Sequence, residues 1–145
     1  MIFFLLLALA AGVLLPVQAG LNAQLRSALG SPIAAAFVSF LVGTATLAAA
    51  TLVFRVSFPV TRAWALTPVV QWTGGIIGAV YVLAAVVLAP KLGAGTLVAS
   101  VVAGQMITSL LLDHYGLIGF PIHSLSPVRL IGAALVIAGV VLIQR

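Results

Sequence analysis

The stretch MIFFLLLALAAGVLLPVQAGLNAQL, residues 1–25, contains no charged side chain. A helix that crosses a hydrocarbon core about 30 Å thick needs about 20 predominantly apolar residues. The stretch therefore predicts a membrane-spanning helix near residues 2–24. No basic residue precedes its apolar run, and the run continues beyond the cleavage-like Ala8-Leu9-Ala10. These features favour a membrane span over a signal peptide.

The same pattern recurs along the rest of the chain. Single charged residues bound further uncharged stretches at 27–54, 63–90, 92–112 and 130–144. The last stretch reaches spanning length if its helix begins near Pro127 and the Arg129 side chain extends to the interface. The apolar runs are continuous rather than alternating, which disfavours a membrane β-barrel. We therefore expect an all-α membrane protein, a bundle of five transmembrane helices forming one domain over 1–145, with the later helices near 32–54, 68–89, 92–112 and 127–144.

Three dipeptides predict where helices begin, and one short run predicts a turn. Ser31-Pro32, Thr67-Pro68 and Ser126-Pro127 each place a hydroxyl residue at the N-cap and a proline at the first helical position. Pro90-Lys91-Leu92-Gly93 is typical of a tight turn between two helices.

The composition excludes several classes of function. Of 145 residues, 64% are hydrophobic and 5% are charged, whereas a soluble domain carries about 25% charged residues. The solvent of this chain is therefore lipid. There is no cysteine, there is only one acidic residue, and the basic residues are scattered singly. This pattern predicts no disulfide, no metal or cofactor site, no enzyme active site and no nucleic-acid partner.

The basic residues that flank the predicted helices show no bias between the two sides of the membrane. With five spans, the N-terminus lies on the same side of the membrane as loops 55–67 and 113–126. The C-terminus lies on the other side, together with loops 25–31 and 90–92. Each side carries the same number of basic residues, which are Arg55, Arg62 and Arg129 on the first side and Arg26, Lys91 and Arg145 on the second. Because an excess of Lys and Arg normally fixes orientation, the balance predicts dual topology, with oppositely inserted copies paired as an antiparallel dimer. The alternative is a single orientation set by weaker features.

Five segments in register carry a family resemblance. They are QAGLN (18–22), SP (31–32) leading into FVSFLVG (37–43), GGIIGAVYV (74–82), GQM (104–106) and DHYGLIG (113–119). With these segments the whole chain resembles the five-helix YdcZ-like (DUF606) family of the drug/metabolite transporter superfamily. The resemblance implies a multi-pass protein of the bacterial inner membrane. It also implies that the chain is one half of a ten-helix inverted-repeat transporter. A second copy or an oppositely oriented paralogue would supply the other half, and the small-molecule substrate is undefined.

Polar residues inside the spans are the candidates for a substrate pathway. Gln18 and Asn22 are one turn apart on the first helix, next to Pro16, which frees a backbone carbonyl. On the fourth helix, Gln105, Ser109 and Asp113 share a face, and mid-span Tyr81 needs a partner for its hydroxyl. The alternative for Gln18 and Asn22 is interhelical hydrogen bonding, and the alternative for Asp113 is an interfacial pair with Arg129 or His114.

Small residues indicate where helices approach each other closely. Such positions predict helix packing or a dimer interface; they are Gly74, Gly75 and Gly78 on the third helix and Gly132, Ala134 and Ala138 on the fifth.

The sequence predicts a transporter subunit, with an accessory membrane protein or a small-ion channel as the alternatives. No carboxylate lies at mid-span, which argues against proton-coupled export of cations and favours neutral or zwitterionic substrates. A channel needs a continuous polar stripe, and no helix provides one.

Dual topology makes a direct prediction about the C-terminus. Reporters that are active on opposite sides of the membrane, fused at the C-terminus, should both give signal, because copies insert in both directions. Signal from one reporter alone would contradict the homodimer and would direct the search to an oppositely oriented paralogue.

Overall fold

The computed structural model describes residues 1–57 and 59–143, and within these ranges the chain is helical and contains no β-strand. The all-α membrane class is confirmed, because three helical stretches, Ile2–Leu29, Pro32–Val53 and Val69–Tyr115, are long and apolar enough to cross a bilayer. The α-helices are α1 (Ile2–Leu29), α2 (Pro32–Val53), α3 (Val60–Leu66), α4 (Gly74–Tyr115) and α5 (Pro127–Ile143), with 3₁₀ turns at Val69–Thr73 and Leu117–Gly119.

Local sequence explains the junction between α1 and α2. Gly30 ends α1 in the left-handed conformation, with φ 69°, and its N–H donates to the carbonyl of Arg26. The Ser31 hydroxyl accepts a hydrogen bond from the Ala34 N–H, and Pro32 occupies the first helical position, as predicted. The first helix is longer than predicted, since it continues to Leu29. Arg26 therefore lies inside α1 and not in the predicted loop.

The predicted third and fourth helices both belong to α4. Gly93 has φ 75° and ψ 163°, a conformation that is essentially restricted to glycine. This residue divides α4 into the helical segments 74–92 and 94–115, each about as long as a membrane span requires. The predicted break between the third and fourth helices is found at Gly93, the last residue of the predicted turn, whereas residues 90–92 remain helical.

The segment before α4 also differs from its prediction. Thr67 follows α3 as its C-cap and does not cap the third span. Its hydroxyl donates to the carbonyl of Ala63 and accepts from the Trp72 indole N–H at 3.0 Å. The rings of Trp64 and Trp72 lie 5.1 Å apart, as two tryptophans in one interfacial belt can do. The short helix α3 was not predicted.

The chain divides into two compact units, Met1–Lys91 and Leu92–Arg145. The first unit has a small core of Ala35, Ala36, Val82 and Val86, which joins the start of α2 to the 74–92 segment. Alanine at these positions lets the two helices approach closely. In the second unit Ser126 accepts a hydrogen bond from the Arg129 N–H at the start of α5, which confirms the predicted cap. The observed bounds of α5, Pro127–Ile143, agree with the predicted span except at residue 144, which lies outside the described residues.

Candidate functional site

A narrow cavity lies between α1 and the 74–92 segment of α4, inside the first unit. Its free volume is about 10 Å³, which is roughly the space of one water molecule. The cavity is therefore too small to hold a larger molecule in this conformation. Its walls are Leu15, Gln18, Ala19 and Asn22 from α1, and Tyr81, Val82 and Ala85 from α4.

Asn22 is the buried polar residue of this cavity. Only 7% of its surface is exposed, yet it takes part in none of the side-chain hydrogen bonds found within 1–57 and 59–143. In those same ranges, every fully enclosed side-chain nitrogen or oxygen has a partner. The unpaired amide of Asn22 must therefore keep a little accessible surface, and the adjoining cavity is where that surface is available.

Gln18 and Tyr81 bring two further neutral polar groups to the same cavity. Gln18 is exposed and lies one turn before Asn22 on α1, while Tyr81 is half-buried on the facing helix. Neither side chain forms a hydrogen bond with another residue of the described part of the chain. Two residues with amides and one with a phenol, each able to donate and accept, thus line the same small cavity.

Arg26 lies one turn beyond Asn22 and joins the same pair of helices. Its Nη1 donates to the carbonyl oxygen of Val86 at 3.3 Å. That carbonyl has no helical donor, because the residue four positions later is Pro90, which lacks an N–H. The sequence interpretation missed Arg26 by assigning it to a loop. The combination of its four-residue spacing from Asn22 with a proline in the facing helix could have indicated this contact.

Asp113 lies in the second unit and forms an ion pair with Arg129. Arg129 also donates to the carbonyl of His123 at 2.8 Å, and the His123 N–H donates to the Asp113 carbonyl at 2.9 Å. The imidazole Nδ1 of His114 accepts from the Leu125 N–H. Of the two interpretations of Asp113, the structure thus shows the pairing with Arg129, and the cluster anchors the loop between α4 and α5.

The other predicted residues of the fourth span are open to their surroundings. Gln105 and Ser109 are exposed on the 94–115 segment, and neither takes part in a side-chain hydrogen bond within the described residues. Their role in a pathway remains a prediction.

The small residues fall into two groups. Gly78 packs beneath the ring of Phe40 on α2, since a Cβ built at Gly78 would lie 3.5 Å from that ring. The remaining positions are exposed on α4 and α5, so their role in a dimer interface stays a prediction; they are Gly74, Gly75, Gly132, Ala134 and Ala138.

Comparison with known proteins places nearly the whole chain in one family. The family described as "Putative inner membrane exporter, YdcZ" matches residues 3–142. No curated protein and no solved structure matches the chain. The YdcZ-like resemblance carried by the five sequence segments is therefore confirmed.

The unpaired amide at position 22 leads to a prediction about stability. Asn22 forms no side-chain hydrogen bond within the described residues, so Asn22→Leu, which is similar in size, breaks no polar contact and should not lower the thermal unfolding temperature of the detergent-solubilised protein. Gln24→Leu is the control, because Gln24 is exposed on the same helix and should change this temperature little.

A lower unfolding temperature for Asn22→Leu than for Gln24→Leu would contradict the assignment. It would mean that the amide is paired and holds the helices together.

Proposed function

Because the chain belongs to the YdcZ family of the drug/metabolite transporter superfamily, we propose that it is one half of a small-molecule exporter. The family makes it a multi-pass protein of the inner membrane and a transporter of the drug/metabolite type rather than an enzyme. The second half is a copy of the same chain inserted in the opposite direction, or an oppositely oriented paralogue. The lipid bilayer is the remaining partner, and nucleic acid has no part in this function.

The observation that carries the proposal is the position of Asn22, a largely buried residue whose amide has no partner in the described part of the chain and keeps accessible surface beside the cavity. A residue whose only purpose is to join helices forms its hydrogen bond within the bundle. Asn22 instead keeps its donors and acceptor unused while it is almost fully covered. This arrangement suits a group that exchanges hydrogen bonds with a passing molecule.

In this conformation the space between α1 and the 74–92 segment is too narrow for a substrate. A volume of about 10 Å³ excludes every substrate larger than water, so α1 and the 74–92 segment must separate to admit one. Gln18, Asn22 and Tyr81 then offer neutral hydrogen-bonding groups that replace the water lost by the substrate. Neutral groups suit this exchange because they cost less to bury than charges.

A transporter must also give its binding site access from both sides of the membrane, and an antiparallel pair provides this access. Two oppositely inserted copies form an inverted repeat, in which the same conformational change opens one side or the other. Each copy acts as a single domain over 1–145. The exposed small residues Gly74, Gly75, Gly132, Ala134 and Ala138 permit the close helix approach that such a pair needs.

Export by growing cells tests the proposal even though the substrate is unidentified. Small molecules in the medium are quantified by mass spectrometry for cells that express the chain and for cells that carry the empty vector. At least one compound should accumulate with the chain. Asn22→Leu and Gln18→Leu should each reduce its export about tenfold, because the loss of one hydrogen bond to the substrate changes binding by about that factor. Gln24→Leu should leave its export unchanged.

Equal compound profiles with and without the chain would contradict a transport function and favour an accessory membrane protein. Full export by the folded Asn22→Leu variant would show that the cavity is not part of the transport pathway.

A further inference from the structure

We infer that Arg26 binds an anionic group of the transported molecule, so that the substrates carry a carboxylate or a comparable anion. The inference rests on the proposed transport function and adds the substrate class to it. Its basis is the position of a partly buried guanidinium one helical turn beyond the cavity residue Asn22, without a counter-ion in its unit.

The contact between Arg26 and Val86 uses only a small part of the guanidinium. Arginine has five N–H donors in a planar fork, and within 1–57 and 59–143 the side chain forms one hydrogen bond, from Nη1 to the Val86 carbonyl. This bond fixes the guanidinium against the 74–92 segment. The remaining donors keep the fork geometry that binds a carboxylate or phosphate through two parallel hydrogen bonds.

The first unit contains no acidic residue that could neutralise Arg26. The only acid of the whole chain is Asp113, which belongs to the second unit and is paired with Arg129. Cations that are withdrawn from water are normally paired with an anion. For Arg26 that anion must therefore come from another molecule.

Helix geometry places Arg26 in line with the neutral groups of the cavity. Gln18, Asn22 and Arg26 follow each other at intervals of four residues, so they share one face of α1. At a rise of 1.5 Å per residue the row is about 12 Å long. A molecule with a polar body and an anionic end fits this row, with its anion at Arg26 and its neutral polar groups at Asn22 and Gln18.

An anion could reach Arg26 from two sources, since Arg26 lies in the last turn of α1. One source is the transported molecule and the other is the phosphate of a lipid headgroup. The chemistry of recognition is the same for both, and only the first makes Arg26 part of substrate selection.

The contact with Val86 requires a design that separates binding from structure. Arg26→Gln removes the charge but also weakens the bond to the Val86 carbonyl. Pro90→Ala returns an N–H to position 90, so the helix itself can satisfy that carbonyl. The double variant Arg26→Gln/Pro90→Ala therefore lacks the cation while the backbone of α4 stays paired. Arg26→Lys keeps a positive charge without the planar fork, and Arg62→Gln is the control, because Arg62 is exposed on α3.

The measurement is the export profile by mass spectrometry, with exported compounds sorted by whether their structure contains a carboxylate, a phosphate or a comparable anionic group. The wild-type chain should export compounds that contain such a group. Arg26→Gln and Arg26→Gln/Pro90→Ala should each lose about tenfold or more of that export, as expected for a charge-assisted hydrogen bond. Arg26→Lys should retain part of it, and Pro90→Ala and Arg62→Gln should retain all of it.

Three results would overturn the inference while leaving transport intact. The first is wild-type export only of compounds that contain no anionic group. The second is recovery of anion export in the double variant, which would make Arg26 a structural contact. The third is unchanged export by Arg26→Gln together with loss of bound phospholipid in native mass spectrometry, which would assign the anion to a headgroup. No export by the wild-type chain would overturn the proposed function itself.

Discussion

The carbonyl of Val86 lacks a helical donor because the chain has proline at position 90. Inside a bilayer no water compensates for this, and each unsatisfied backbone group costs several kcal/mol. Arg26 supplies the missing donor from α1, which holds the C-terminal part of α1 against the 74–92 segment. α1 must continue past its predicted end to position this arginine. The face of α1 that carries Arg26 also carries Asn22 and Gln18, so the same contact holds the cavity-lining face of α1 near the 74–92 segment.

This arrangement explains how a chain with few charges can build a polar site. Asn22 is covered because α1 is held in place one turn further along, and it lies beside Tyr81 from the facing helix. The buried core of the unit consists of alanine and valine, which bring the helices close together without filling the cavity. The ion pair of the second unit, between Asp113 and Arg129, anchors a loop. Because the one acidic residue is paired in this way, the groups left to bind a substrate are the neutral polar side chains and Arg26.

Much of the fold could be predicted from the spacing of charges. Apolar stretches between charged residues located each membrane helix, and Ser31 and Ser126 marked helix starts, because capping depends on neighbouring residues alone. Arg26 was misassigned because a charged residue was taken as the end of a helix, whereas α1 continues to Leu29 and Arg26 contacts the facing helix. Thr67 was misassigned because a hydroxyl residue before proline was taken as an N-cap, whereas it ends the short helix α3. Four-residue spacing predicted that Gln18 and Asn22 share a face, but spacing cannot tell which face meets Tyr81.

If the face of α1 bearing Asn22 opens to water during transport, a cysteine at position 22 becomes accessible to water-soluble thiol reagents. The chain has no native cysteine, so Asn22→Cys and Leu21→Cys each introduce a single thiol. In the closed structure Asn22 is 7% exposed and Leu21 is 60% exposed. A membrane-impermeant maleimide, applied to vesicles of both orientations, should label Asn22→Cys and leave Leu21→Cys unlabelled, because position 22 meets water in the open state and position 21 faces lipid. Labelling at position 21 without labelling at position 22 would contradict the account.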